Sequence, residues 1–269
     1  MNNSLKIRLK SAIFSKGMLV SVILGLAILM RHALQTLIVY NVGVGPLSFK
    51  KMCSLYLEEI YIAHAMNGFD IIAPILAVLP ASTMFCNDYG SGYIKSILGR
   101  VDKCRYFRET VFCSSIAGGL AIFIPVFIMS MIFMINGEPN IAANKIWQNG
   151  IDETVFASIQ YIWGGGFIVM LLLILAFMFG AVWSNIGLCV SAIFPNKYIT
   201  LLGPFFIYFS LHLILYRTPN LLFLSPLNTL IPIETFVPSV WFPFVYQIVL
   251  FTVCIFLFYH NTERRIENV

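Results

Sequence analysis

Charge is scarce in this chain: charged residues make up 11% of its 269 positions, against about 25% in soluble domains. So little charge cannot cover a water-facing surface, which excludes an ordinary soluble fold. Alternating polar and apolar positions are also missing. The apolar runs are continuous, which argues against a membrane β-barrel and for spanning helices. Catalytic signatures are absent as well. There is no GxxxxGK[ST] to cradle nucleotide phosphates. His32, His64, His212 and His260 form no HExxH, and Gly90-Ser91-Gly92 is not GxSxG. Glu58-Glu59 is followed by Ile60-Tyr61-Ile62-Ala63, without the arginine of an EExxxR protease. Cys53, Cys86, Cys104, Cys113, Cys189 and Cys254 are scattered with no CxxC or metal-type spacing, and read as small apolar residues or free thiols. No catalytic residue, metal site or cofactor is expected on this chain.

What the chain does have is apolar length. Hydrophobic residues make up 59% of it, and a spanning helix needs about 20 in a row. Six segments qualify: 18–40, 67–86, 110–135, 162–193, 198–216 and 240–260. Basic residues precede the first, but its apolar run passes Arg31 to about Tyr40 without a small-x-small cleavage site, so a retained anchor helix is expected. Near the start of the fourth, Gly164–Gly166 marks a break or bend.

Lys and Arg placement predicts orientation. With the N-terminus inside, Lys6, Arg8, Lys10, Lys16, Lys95, Arg100, Lys103, Arg105, Arg108, Lys197, Arg264 and Arg265 are cytoplasmic, and only Lys50, Lys51, Lys145 and Arg217 are external. Both termini are therefore expected in the cytoplasm, in a multi-pass plasma-membrane protein.

Three segments outside the spans are informative. Over residues 4–16, Leu5, Leu9, Ala12 and Ile13 share one helical face, with the basic residues largely elsewhere, as in an interfacial helix; a disordered basic tail is the plainer alternative. Residues 87–108 form the most polar and basic stretch, on the inner side. They suit either a short helix facing a cytosolic partner or a loop whose charge only sets topology. Residues 217–239 are apolar but interrupted by Pro219, Pro226, Pro232 and Pro238, which predicts short broken helices re-entering the outer leaflet.

This layout resembles the ABC-2 type permeases over essentially the whole chain. The most specific piece is Asp88-Tyr89-Gly90-Ser91-Gly92-Tyr93-Ile94-Lys95-Ser96-Ile97, then Gly99-Arg100 and a basic cluster to Arg108. Tyr93 stands where the family commonly has threonine, and its turn proline is missing; the variant resembles permeases of bacteriocin and lantibiotic export or immunity systems. The resemblance implies an all-α membrane domain of six transmembrane helices, paired with a second permease subunit, like or unlike. The pair would rest on a dimer of separate ATPase chains that hold ATP and Mg, with membrane lipid and no nucleic acid among the partners. It also implies that Asp88, Tyr89, Gly92, Tyr93, Lys95 and Arg100 form the ATPase-coupling element of an exporter of amphipathic peptides, drugs or lipid-like molecules. Two other classes remain open: a membrane-embedded immunity protein that sequesters a hydrophobic peptide without pumping, and a membrane enzyme with an unrecognised site.

Within the spans, Arg31, Asp70 and His212 are costly and should face protein or water. At 1.5 Å per residue they lie about 20, 24 and 21 Å from the inner ends of their helices. An Arg31–Asp70 pair is expected, with His212 near; separate snorkelling groups are the plainer alternative. Small residues recur at helical spacing in three rows: Gly17, Ser21 and Gly25; Ser114 and Gly118; Gly180, Ser184, Gly187 and Ser191. These rows suit close helix packing, within one subunit or at a dimer contact.

Overall fold

The computed structural model of the protein describes residues 3–43, 68–98, 102–136, 165–230 and 238–267. Among these the regular elements are all helical. They are α1 (Asn3–Ile13), α2 (Lys16–Gly43), α3 (Phe69–Val78), α4 (Met84–Gly90), α5 (Tyr93–Leu98), α6 (Lys103–Asn136), α7 (Gly165–Ile193), α8 (Lys197–Tyr216), a 3-10 turn (Pro219–Leu224), α9 (Leu227–Leu230) and α10 (Phe242–Glu267). Four of them, α6, α7, α8 and α10, are long and apolar enough to cross a membrane, and α1 with α2, bent by 40° between them, makes a fifth candidate.

The chain's local chemistry sets these boundaries. After Pro195, Asn196 caps α8, its side chain accepting from the Tyr198 amide at 2.9 Å. Of the fourth apolar run, the described residues are helical from Gly165 to Ile193. The uninterrupted helix expected over 67–86 is absent. In its place α3 covers ten residues, about 15 Å, half the thickness of the hydrocarbon core. Pro80, which has no amide hydrogen to donate, lies in the turn that follows, and helix resumes only at Met84.

The described long helices α6, α8 and α10 pack on α7, and α2 packs on α6 and α3. Of the α7 spanning stretch 72% is buried within the molecule, against 22% for α8 and for α10, so α7 is the central post and the other two keep broad exposed apolar sides among the described residues. Lipid is as apolar as these side chains, so close contact rather than exclusion of water must hold the helices. The three small-residue rows supply that contact inside the subunit. Gly118 of α6 meets Gly180 of α7 backbone to backbone, and a Cβ on either would strike the other helix. Ser114 and Ser184 hydrogen-bond at 2.6 Å beside them, and Ser82 donates to the Ser184 carbonyl at 2.9 Å. On α2, Gly17 lies against the Leu79 carbonyl, Ser21 donates to the Leu76 carbonyl at 2.8 Å, and Gly25 meets Pro125 of α6. The alternative of a row lining a dimer contact is therefore not needed to explain any of the three.

Lys6, Arg8, Lys103, Arg105, Arg108, Lys197, Arg264 and Arg265 all belong to one end of this bundle, where α2 and α6 begin and α7 and α10 finish. We call it the basic end. Arg217 follows α8 at the other end.

Candidate functional site

Two places gather polar side chains. The first is the base of the bundle, where α4 and α5 form a helical elbow at the basic end. Asp88, near the end of α4, is its anchor. The Arg8 guanidinium of α1 donates to Asp88 Oδ2 at 2.7 Å, and the Tyr106 hydroxyl of α6 donates to the same oxygen at 2.8 Å. Arg8 also lies 4.7 Å over the Tyr106 ring. With the ion-paired side chains only 14% and 19% exposed, this is a charge-assisted knot largely shielded from water. Tyr89, next along α4, lies under Arg265 of α10, whose guanidinium is 5.4 Å from the ring centre. The same arginine donates to the Ile193 carbonyl at 2.6 Å, satisfying an open carbonyl at the end of α7. Below them Ile94 is buried in a cluster with Phe85, Tyr106, Phe107, Leu188 and Phe258.

The expected coupling residues thus divide. Asp88 and Tyr89 bind the elbow to α1, α6 and α10. Gly90, Ser91, Gly92 and Tyr93 are exposed at the elbow's tip, and Tyr93 is 50% exposed. Gly92 has φ of +71°, a left-handed conformation that turns α4 into α5 and that residues with a Cβ rarely adopt. Arg100 and the side chain of Lys95 lie outside the described residues. Sequence reasoning missed Arg8, Tyr106 and Arg265 as the elbow's anchors; the two arginines enter there only as topology charges.

The second place is the bundle interior. Asp70 is buried to 1% exposure in the first turn of α3, where the helix dipole favours a carboxylate, and its Oδ1 accepts from the Ile71 amide at 2.9 Å. Its electrostatic neighbour is Tyr208 of α8. The Tyr208 ring meets Trp183 of α7 edge-on at 4.9 Å. The Tyr208 hydroxyl and the Trp183 indole nitrogen are buried and have no hydrogen-bond partner among the described residues. Nearby on the outer side, Gln247 of α10 donates to Thr229 Oγ1 at 2.9 Å, leaving its Oε1 buried and unpaired.

The expected trio does not assemble. Among the described residues no ion pair joins Arg31 to Asp70. Among the described side chains of α2 the buried ones are Met18, Ser21, Gly25 and Leu29. Arg31, two residues past Leu29, is turned about 200° away at 100° per residue and is exposed. His212 is one helical turn beyond Tyr208 and pairs with Ser225 Oγ at 2.8 Å instead. The height expected for Asp70 rested on an unbroken helix over 67–86, which the break after α3 removes, and spacing could not tell which face each residue occupies.

Among the described residues no three His, Cys, Asp or Glu side chains are grouped to hold a metal ion, and Cys86, Cys104, Cys113, Cys189 and Cys254 are free thiols, with Cys53 outside the described residues. The chain has no significant match to any protein-family model, any curated protein or any solved structure.

Proposed function

We propose that this chain is the membrane-spanning permease subunit of an ATP-driven exporter of the ABC-2 kind, with the ATPase on a separate chain that holds ATP and Mg. The observation that carries the reading is the α4–α5 elbow. Its exposed tip, Gly90 to Tyr93, offers a partner an aromatic side chain on a tight turn, while its root is tied by Asp88 and Tyr89 to α1, α6 and α10. A push on the tip is delivered to three elements at once, as a coupling device requires, and nothing on this chain needs to be catalytic. In this reading the basic end is cytoplasmic. Residues 67–86 cross the membrane as a broken span, completing six, and 217–239 re-enters from the outside; the short 3-10 turn and α9 suit that path. A second permease subunit completes the pathway in the plasma membrane, and the cargo is amphipathic or lipid-like.

The test is a photo-cross-linking residue at position 93 in the complex purified with its ATPase partner. The cross-link should fall on that ATPase, and Tyr93→Ala should lower transport-coupled ATP turnover several-fold while leaving assembly intact. Position 93 labelled only from outside intact cells, or ATP turnover indifferent to changes throughout 90–93, refutes the proposal. Equal protection against a hydrophobic peptide with and without ATP hydrolysis supports the sequestering alternative instead.

A further inference from the structure

Helices α6 and α10 both pack on α7 and leave a groove between them, near the basic end. Its volume is about 600 Å³, within the range of 300–1,000 Å³ usual for ligand sites. Val111, Phe112 and Ile116 of α6 form one wall, and Phe251 and Ile255 of α10 the other, with Phe177 of α7 also lining it. Phe107 and Tyr259 meet at 4.9 Å and close the groove toward the basic end, where Leu5 of α1 also borders it. From Phe107 to Ile116 the wall runs about 14 Å along the membrane normal. Its one acidic group, Glu109, is paired with Arg105 at 3.1 Å. Arg108 also lines it, exposed and without an acidic partner among the described residues.

We infer that this groove is a binding site for an anionic phospholipid, with an acyl chain between α6 and α10 and the headgroup phosphate on Arg108. The charge argues for it. A lone cation sits at the closed, basic end of an apolar slot, at the level where headgroups lie, and its acidic neighbour is already neutralised. Phosphate offers Arg a paired acceptor, and each near-surface cation adds to the attraction for anionic lipid. The walls argue the same way. Close helix packing in a membrane uses Gly, Ala and Ser, whereas this slot is walled by Phe, Ile and Val. Its single serine, Ser115, already donates to the Val111 carbonyl at 2.7 Å and accepts from Asn185 at 2.8 Å. A flexible chain fits such walls; a second helix does not.

The experiment uses the full chain in nanodiscs of equal phosphatidylglycerol and phosphatidylcholine, released into native mass spectrometry. Wild type should retain phosphatidylglycerol in preference to phosphatidylcholine. Arg108→Gln should cut that preference about fivefold, the effect of one near-surface cation, and Arg108→Lys should keep most of it. Val111→Trp, which fills the slot, should reduce both lipids, with Val111→Phe as a milder filler if the larger ring prevents folding. Equal retention of the two lipids by wild type, or a preference indifferent to Arg108→Gln, overturns the site. So does a disulfide between two copies carrying Ile255→Cys in an otherwise cysteine-free chain, since a second subunit would then occupy the slot.

Discussion

At the scale of single residues, the knot at Asp88 is the sharpest feature. One carboxylate oxygen takes two donors from two different helices, at 2.7 and 2.8 Å. The pair is partly shielded, so its coupling should exceed that of a surface ion pair yet stay near 1 kcal/mol. A double-mutant cycle with Arg8→Gln and Asp88→Asn, measured by reversible unfolding in micelles, should return about that value. A coupling indistinguishable from zero would mean that the contact does not hold the elbow. Raising salt should weaken it only slightly, because the surrounding protein keeps mobile ions away from the partly buried pair. None of this could be read from the sequence. Arg8 and Asp88 are 80 positions apart, and an intrahelical spacing rule says nothing about partners on other helices. Asp70 shows the complementary limit. Its burial was foreseeable from the cost of an exposed charge in lipid, but its neighbour Tyr208 depends on the rotation of α8 about its axis.

Among elements, the seam between α6 and α7 carries the packing, and here the sequence was far more legible. Glycines and serines at every third or fourth position have little reason to recur in a lipid-facing helix, and each row found its neighbour. The consequence can be measured. A Cβ at position 118 would strike the Ser184 side chain and the Gly180 carbonyl, whereas one at position 90 meets nothing. Gly118→Ala should therefore destabilise by about 1–3 kcal/mol through overpacking, while Gly90→Ala should be neutral or slightly stabilising, since alanine is the better helix former. Thermal unfolding of the two variants side by side checks the contrast. Equal midpoints would show that the helices relax apart at no cost. The break after α3 was less legible. Proline occurs inside α6 and α8 at Pro125 and Pro204 without ending either helix, so Pro80 alone did not announce that its helix would stop. There the chain runs against α2, with Gly17 on the Leu79 carbonyl, and close packing holds the turn.

For the molecule as a whole, the controlling feature is the difference between its two ends. The basic end gathers the elbow, the bend between α1 and α2, the arginine over Tyr89 and the closed end of the apolar groove, all within reach of one set of helix termini. A membrane potential and anionic lipid both favour keeping that end in the cytoplasm, and this lopsidedness was legible from Lys and Arg positions before any contact was known. It yields a test independent of any partner. In a cysteine-free background, cysteines replacing Ser91 and Tyr198 both stand exposed at the basic end, whereas those replacing Arg217 and Trp241 stand exposed at the other. An impermeant maleimide applied to intact cells should label positions 217 and 241 and spare 91 and 198, with the pattern reversed in inverted vesicles. If 91 and 198 label from opposite sides, the bundle is threaded differently from this fold. If the pairs stay together but swap sides, the fold stands and the cytoplasmic elbow, with the coupling it was proposed to perform, falls.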